Sequence, residues 1–329
     1  MLSYVDFPSW ISPFVVSFLP VRWYALMYIV AFAVSYWLFT RECKEGALGR
    51  MDSDTSLTLY LYAIIGLILG ARLGSCLLYE GSSYYWTHPW MIFWPFRNGQ
   101  FIGLPGMSFH GGLVGAIIGT LLFCRKYGYK FLDVADAITI SVPLGYTFGR
   151  LGNFINGELW GRCTDSSYGM IFPDAPSFST SLEWVRNAAD AAGISYTEGA
   201  LVNLPRHPSQ LYEALGEGIL LFFIMWFAVR PFVMKKKTGR GFGMGAYLVG
   251  YGFFRFIIEY FREPDSQLGF IIALGKETEP VALFKSLLNI SMGQILCFIM
   301  IVAGVVFMVI SFRLEHTEYG RKKKGNKKK

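Results

Sequence analysis

The sequence predicts an all-α polytopic membrane protein in which seven transmembrane helices carry a small extracytoplasmic head. Of its 329 residues, 53% are hydrophobic, 17% aromatic and only 16% charged; a soluble domain usually carries about 25% charged residues. The apolar residues gather into seven blocks, most of them near the ~20 residues needed to cross about 30 Å of hydrocarbon. Basic residues crowd alternate connections between the blocks. A soluble enzyme, a disordered chain and a disulfide-stapled secreted module are all excluded by this composition.

Residues 1–22 precede the first block. They hold no basic stretch before an apolar core and no small-residue cleavage site, so they do not read as a cleaved signal peptide. Pro8, Trp10, Pro13 and Pro20 suit a segment lying at the membrane interface. The seven expected spans are Trp23–Thr40, Ser56–Tyr79, Phe109–Cys124, Phe131–Phe148, Gln210–Val229, Gly241–Phe261 and Ser291–Phe312. Residues 23–312 thus form one helical membrane domain.

Orientation follows from charge. One set of connections holds Arg41, Lys44 and Arg50, then Arg125, Lys126 and Lys130, then Arg230, Lys235, Lys236, Lys237 and Arg240, and finally Arg313 with the tail. The opposite connections are far longer yet poorer in basic residues. The positive-inside rule places the N-terminus outside and the C-terminus in the cytoplasm. The outside connection Gly81–Ser108 is aromatic-rich and suits an interfacial belt. Residues 151–206 are more polar and are expected to form the head. Residues 313–329 form a basic cytoplasmic tail, with Arg321, Lys322, Lys323, Lys324, Lys327, Lys328 and Lys329. In a soluble chain such a run would suggest nucleic acid. Beside a span, anionic lipid is the simpler partner, and no nucleic-acid partner is expected.

Cys43, Cys76, Cys124, Cys163 and Cys297 are odd in number and lack redox or metal-ligand spacing. No disulfide, metal or cysteine nucleophile is expected. Gly66, Gly70 and Gly74, and likewise Gly111, Gly115 and Gly119, recur every four residues, as closely packed membrane helices require.

Charges inside spans are the functional candidates, because an ionised side chain at mid-bilayer costs at least about 2.5 kcal/mol. Tyr251, Arg255 and Glu259 lie at i, i+4 and i+8, and with Arg262 are expected on one helical face. The fourth span runs into Gly149-Arg150-Leu151-Gly152-Asn153-Phe154-Ile155-Asn156-Gly157-Glu158-Leu159-Trp160-Gly161-Arg162. With its glycines and amides this stretch reads as irregular backbone lining a polar cavity. Arg150 offers a planar fork suited to phosphate. His110 enters an apolar span beside two glycines, with an ordinary pKa near 6.5 that suits proton transfer. His207-Pro208-Ser209-Gln210-Leu211-Tyr212-Glu213 opens the fifth span, and Glu217 follows one turn on, where capping and hydration explain it adequately. Asp136 and Arg72 are further charges inside spans and are expected to partner the cluster.

The stretch Gly149–Gly161 resembles the signature of the phosphatidylglycerol–prolipoprotein diacylglyceryl transferase family. The similarity continues at Trp23-Tyr24 with Met27-Tyr28, at Ser108–Gly112, at His207–Glu213, at Tyr251–Arg262 with Pro264-Asp265, and at Ser291–Gln294. It covers residues 20–312, nearly the whole chain.

The resemblance implies a seven-span bacterial inner-membrane enzyme whose site opens to the periplasmic side, so that the head is periplasmic. It implies transfer of a diacylglyceryl group from phosphatidylglycerol to the lipobox cysteine of a preprolipoprotein, with release of glycerol phosphate and no cofactor. Its partners are phosphatidylglycerol, the lipobox of the substrate's signal peptide and membrane lipid. Catalytic residues fall by motif on Tyr24, His110, Arg150, Glu158, Tyr251, Arg255 and Glu259. Phosphatidylglycerol-binding residues fall on Arg150, Asn153, Asn156, Gly161, Arg255 and Arg262. His207, Glu213 and Asp136 carry over less closely. On this reading Arg150 and Arg255 bind the phosphate, Glu158 and Glu259 orient them, Asn153 and Asn156 bind the glycerol head, Tyr24 and Tyr251 bind at the lipid interface, and His110 is the base. Other classes remain open on the residues alone. A transporter would also carry intramembrane charges, although no internal repeat is found. An intramembrane serine protease lacks a Gly-x-Ser-Gly sequence, and a scaffold would not need arginines at that depth.

Overall fold

The computed structural model describes residues 4–16, 21–49, 51–80, 84–97, 99–101, 103, 106–235, 238–263, 269–275, 282–284 and 286–326. Pro20, Arg50, Lys236, Lys237, Pro264, Asp265 and Lys327–Lys329 lie outside the described residues. The fold is mostly helical. Its main helices are α1 (Trp23–Lys44), α2 (Ser53–Gly74, continued by a wider π turn over Ser75–Tyr79), α3 (Phe109–Tyr127) and α4 (Phe131–Ile155). They are followed by α5 (Glu183–Ala192), α6 (Ser209–Met234), α7 (Phe242–Ile258) and α8 (Met292–Asn326). Among the described residues, five helices are long and apolar enough to cross a membrane: α1, α2 with its π turn, α4, α6 and the Met292–Arg313 part of α8. α7 is apolar but shorter.

The chain divides into two compact units, residues 36–137 and residues 1–35 with 138–329. In the first, α2 and α3 pack through their glycines. A Cβ on Gly66 would sit 2.2 Å from the Gly115 carbonyl oxygen, and one on Gly115 would sit 2.0 Å from that of Gly66. No side chain fits there, so the four-residue glycine spacing is explained by backbone-to-backbone packing. Helix starts are capped locally: Asp52 accepts from the Thr55 amide at 2.9 Å and Ser108 from the Gly111 amide at 3.1 Å. Arg72 is buried. Its guanidinium donates to the carbonyls of Ile92 at 2.5 Å and Gly106 at 3.3 Å, which fastens the aromatic connection to α2.

In the second unit, the C-terminal part of α4 meets α6 and α7, and α7 packs along α8. A Cβ on Gly218 of α6 would lie 2.1 Å from Thr147 Oγ1 of α4, so the two helices touch at this level. α6 is not a regular α-helix: Ala214–Leu220 and Ile224–Val229 follow the wider π pattern, a feature frequent at functional sites. Between α4 and α6, Val185 and Ala189 of amphipathic α5 pack with Cys163, Val202, Leu204 and Ala282 in a hydrophobic cluster. Phe178–Ser179 pairs antiparallel with Leu201–Val202, and Val5–Asp6 of the N-terminal segment pairs parallel with Met170–Ile171. All five cysteines are free and buried.

Two sequence expectations are corrected. The fourth span does not break at Phe148: α4 continues to Ile155, so Arg150 and Asn153 stand on regular helix. Gly152 packs tightly on Met27 and Tyr24, where a Cβ would meet Met27 at 3.2 Å. That close approach offsets the helix propensity glycine lacks. The bend comes later, at Gly157 with φ 67° and at Leu159 with φ 59°. The second correction concerns Arg262, which lies beyond the end of α7. The chain turns tightly at Tyr260 and Phe261, and Arg262 then forms a bridge with Gly161.

Candidate active site

Helix α6 supplies the centre of a charge cluster. Glu213 is fully buried and meets three arginines from two other elements. Its Oε2 lies 2.7 Å from Arg150 Nε on α4. Its Oε1 lies 3.3 Å from Arg255 Nη1 on α7 and 2.8 Å from Arg262 Nη1 just past α7. Glu259 adds contacts of 3.0 Å to Arg255 and 3.8 Å to Arg262. Glu217, one turn after Glu213, has Oε1 3.7 Å from Arg255 Nη1. The three arginines and these three glutamates balance in charge.

The exposures are asymmetric. The side chains of Arg150, Arg255 and Arg262 are 18%, 17% and 20% exposed, whereas Glu213, Glu217 and Glu259 are 1%, 0% and 9%. The carboxylates are shut in behind arginine side chains that keep partial exposure, although Arg255 Nη1 itself is buried. A buried charge is tolerated only when paired, so the glutamates require the arginines as much as the arginines require them.

The signature stretch surrounds this cluster. Arg150 donates through Nη1 to Asn153 Oδ1 at 3.3 Å. Asn153 and Asn156 both donate to Glu158 Oε1, at 2.9 and 3.3 Å. Glu158 therefore holds the two asparagines, and it reaches Arg150 only through Asn153. The expected orienting of an arginine by Glu158 thus runs through Asn153, because the turn at Gly157 carries its carboxylate back over the last turn of α4. Gln210 Nε2 fastens the same turn by donating to the Glu158 carbonyl at 2.6 Å, and Ser209 Oγ donates to that of Leu159 at 3.0 Å. Among the described residues, the buried side-chain oxygens of Asn156 and Gln210 have no hydrogen-bond partner.

Gly161 has a steric role. Its amide donates to the His207 carbonyl at 2.8 Å, and a Cβ there would lie 2.3 Å from the Phe261 carbonyl oxygen. Three distant pieces of sequence thus converge on one backbone crossing, with Arg162 Nε donating to the Arg262 carbonyl at 2.7 Å. His207 is buried beside it, with Nδ1 3.2 Å from the Tyr212 hydroxyl. Burial, helped by the nearby Arg162, pulls its pKa down to about 4. A groove of about 1100 Å³ runs past His207, lined by Asp165, Tyr168, Trp184, Tyr260 and Phe284 among others.

Half-buried Tyr24 donates to Tyr28 at 3.0 Å, and Tyr251 packs against Tyr146 and Tyr247 with ring centroids 5.9 and 5.8 Å apart. His110 and Asp136 belong to the other compact unit. His110 is exposed in the first turn of α3, with Nδ1 2.8 Å from the Tyr79 hydroxyl. Asp136 is buried on α4. Sequence reasoning ranked Glu213 low and explained Glu217 by capping, and it passed over Tyr146. The available signals were i, i+4 spacings: Glu213 to Glu217, and Tyr146 to Arg150.

The cluster stands at the ends of apolar helices, in a mostly helical chain with, among the described residues, five helices long and apolar enough to cross a membrane. The chain belongs to the prolipoprotein diacylglyceryl transferase family, whose model matches residues 13–310. It is 46% identical over 343 aligned residues to the phosphatidylglycerol–prolipoprotein diacylglyceryl transferase of Treponema denticola, covering 99% of each chain. It is 47% identical to that of Treponema pallidum, over 93% of this chain and 94% of the relative. With that of Borreliella afzelii it shares 39% identity, over 95% and 97%.

Proposed function

We propose that Arg150 and Arg255, with Arg262 beside them, grip the phosphate of phosphatidylglycerol while its diacylglyceryl group passes to a cysteine thiol of a prolipoprotein. As a member of its family the protein is a transferase acting on these two substrates. The observation that carries the site assignment is the asymmetry of the cluster, in which three partly exposed arginine side chains converge on carboxylates that lie buried behind them.

The chemistry explains why such a cluster is needed. The thiolate attacks the glyceryl carbon, a C–S bond forms, and the C–O bond to the phosphate breaks with its electron pair. The diester carries one negative charge, and the departing glycerol phosphate carries one more. Groups preorganised where that charge develops lower the barrier more than they tighten ground-state binding. Two forked guanidiniums on separate helices can each offer paired N–H donors to phosphate oxygens. Glu259 keeps Arg255 and Arg262 directed. Asn153, Asn156 and Gly161 shape the neighbouring wall for the glycerol head, and Tyr24 and Tyr251 supply hydroxyls toward the lipid interface.

A free thiol has a pKa near 8.5, so a proton acceptor assists attack. His110, whose ring is held by Tyr79, is the assigned base. If instead a phosphate oxygen takes the proton, His110→Asn retains wild-type activity at raised pH.

The proposed setting is a bacterial inner membrane crossed by seven spans, with residues 151–206 as a periplasmic head, the N-terminal segment 1–22 on the same side and the basic tail in the cytoplasm. Charge alternation between connections supports it. Labelling of single cysteines placed in residues 151–206 and in the tail, from either side of sealed vesicles, tests the orientation. Incubation of the purified protein with phosphatidylglycerol and a lipobox peptide tests the reaction: the peptide should gain one diacylglyceryl mass on its cysteine, and an unchanged mass would refute the assignment.

A further inference from the structure

Tyr146 and Glu217 belong to the same cluster and have no part in the chemistry above. Arg150 Nε donates to the Tyr146 hydroxyl at 2.6 Å, and the Arg150 guanidinium carbon lies 4.8 Å from the centre of the Tyr146 ring. The same hydroxyl donates to Glu217 Oε2. The other oxygen of Glu217 is 3.7 Å from Arg255 Nη1. A continuous chain Arg150–Tyr146–Glu217–Arg255 thus joins the two cations by a route that does not pass through Glu213.

Apart from Tyr146 and Glu217, Arg150 is held by Glu213 and by its 3.3 Å bond to Asn153, and Arg255 by Glu213 and Glu259. The Tyr146 hydroxyl and ring add the shortest of these holds on Arg150, at its Nε and along its face, and Glu217 sets a buried carboxylate 3.7 Å from Arg255 Nη1, an electrostatic contact too long for a hydrogen bond. The frame is stiff. Glu217 is completely buried on the wide turn of α6, its neighbour Gly218 is pressed onto Thr147, and the Tyr146 ring stands edge-on to Tyr251, one turn before Arg255.

We infer that Tyr146 and Glu217 are positioning residues: a strut between α4, α6 and α7 that fixes the spacing and planes of the Arg150 and Arg255 guanidiniums for the departing phosphate. The inference rests on the phosphate-clamp reading of the two arginines. A displaced guanidinium still attracts the resting diester through its charge, but it meets the extra charge on the leaving group poorly. Loss of the strut therefore lowers kcat more than it raises KM. Misplacement of about 1 Å is enough for effects on the order of 100-fold.

The test is a kinetic comparison in vesicles with saturating lipobox peptide and varied phosphatidylglycerol, using Tyr146→Phe, Glu217→Gln, Glu217→Leu, the double variant of Tyr146→Phe with Glu217→Gln, and Arg150→Lys. Tyr146→Phe removes one oxygen, and Glu217→Gln keeps the shape and a hydrogen-bond acceptor. The strut requires kcat to fall about 10-fold or more in Tyr146→Phe, with KM within about twofold and the thermal midpoint retained. Glu217→Gln should fall less than Glu217→Leu, because the amide oxygen still receives the tyrosine hydroxyl. The double variant should be no worse than the weaker single, since both break one chain. Wild-type kcat in Tyr146→Phe, or a double loss equal to the product of the single losses, overturns the strut. If Arg150→Lys is impaired while Tyr146→Phe is not, the strut fails and the clamp stands. If Arg150→Lys works normally, the clamp itself has failed.

Discussion

Glu213 stands between Arg150 and Arg255, with one carboxylate oxygen 2.7 Å from Arg150 Nε and the other 3.3 Å from Arg255 Nη1. One buried side chain on α6 thereby ties together arginines that are more than a hundred residues apart in sequence. Replacing it by glutamine keeps the volume and removes the charge. Three clustered guanidiniums would then share two buried carboxylates. Removing one partner of a buried ion pair costs about 3–5 kcal/mol, and part of that is relieved here because Glu217 and Glu259 remain beside the arginines. Glu213→Gln is expected to lower the thermal midpoint in detergent and cut the transfer rate about 100-fold or more. A variant with unchanged stability and rate would remove Glu213 from the centre of the site.

Arg150→Lys and Arg255→Lys keep the charge and lose the fork. Phosphate held only by attraction to a point charge would tolerate both. Bidentate gripping would not, and each change is expected to reduce kcat about 10²- to 10³-fold, the loss typical of one donor to a developing anion. Initial rates with the purified variants decide the matter.

Gly149 and Gly161 occur in the same signature but stand in different surroundings. A Cβ at Gly161 would strike the Phe261 carbonyl at 2.3 Å, whereas at Gly149 nothing lies within 4 Å. Gly161→Ala should destabilise by about 1–3 kcal/mol, as overpacked sites do. Gly149→Ala should leave stability unchanged or raise it by up to about 1 kcal/mol through helix propensity. Thermal midpoints of the two variants provide the comparison.

His207 provides a pH signature. Its pKa falls from 6.5 to about 4 in the folded state through burial and the proximity of Arg162, against an opposing pull from Asp165. Between those values the unfolded chain binds a proton that the folded chain does not, so stability declines as pH drops from about 6.5 toward 4. His207→Gln should flatten that part of the stability curve. Equal slopes for the two proteins would mean that the ring is not kept neutral.

Much of the site could be read from spacing. Arg255 and Glu259 are helical neighbours, and the structure pairs them at 3.0 Å. Arg150 marked itself by its place among apolar residues. Glu158 was expected to orient an arginine, and it meets Arg150 by way of Asn153, an intermediary that depends on the left-handed turn at Gly157. Glu217 read as ordinary because nothing local shows that a tyrosine of another helix donates to it.

The amino-acid sequence by itself determined the helical membrane architecture, the glycine faces and the identity of the main charged residues. These depend on hydrophobic length, on four-residue periodicity and on the expense of placing charge among apolar side chains, all of which act along one helix. Only the tertiary structure decided which charge meets which. That Glu213 is shared by three arginines, and that Tyr146 joins Arg150 to Glu217, depends on where α4, α6 and α7 cross and how the π turn rotates α6. Ion pairing falls off within a few ångströms, so partners from separate helices are set by packing geometry and leave no periodic trace in any one segment.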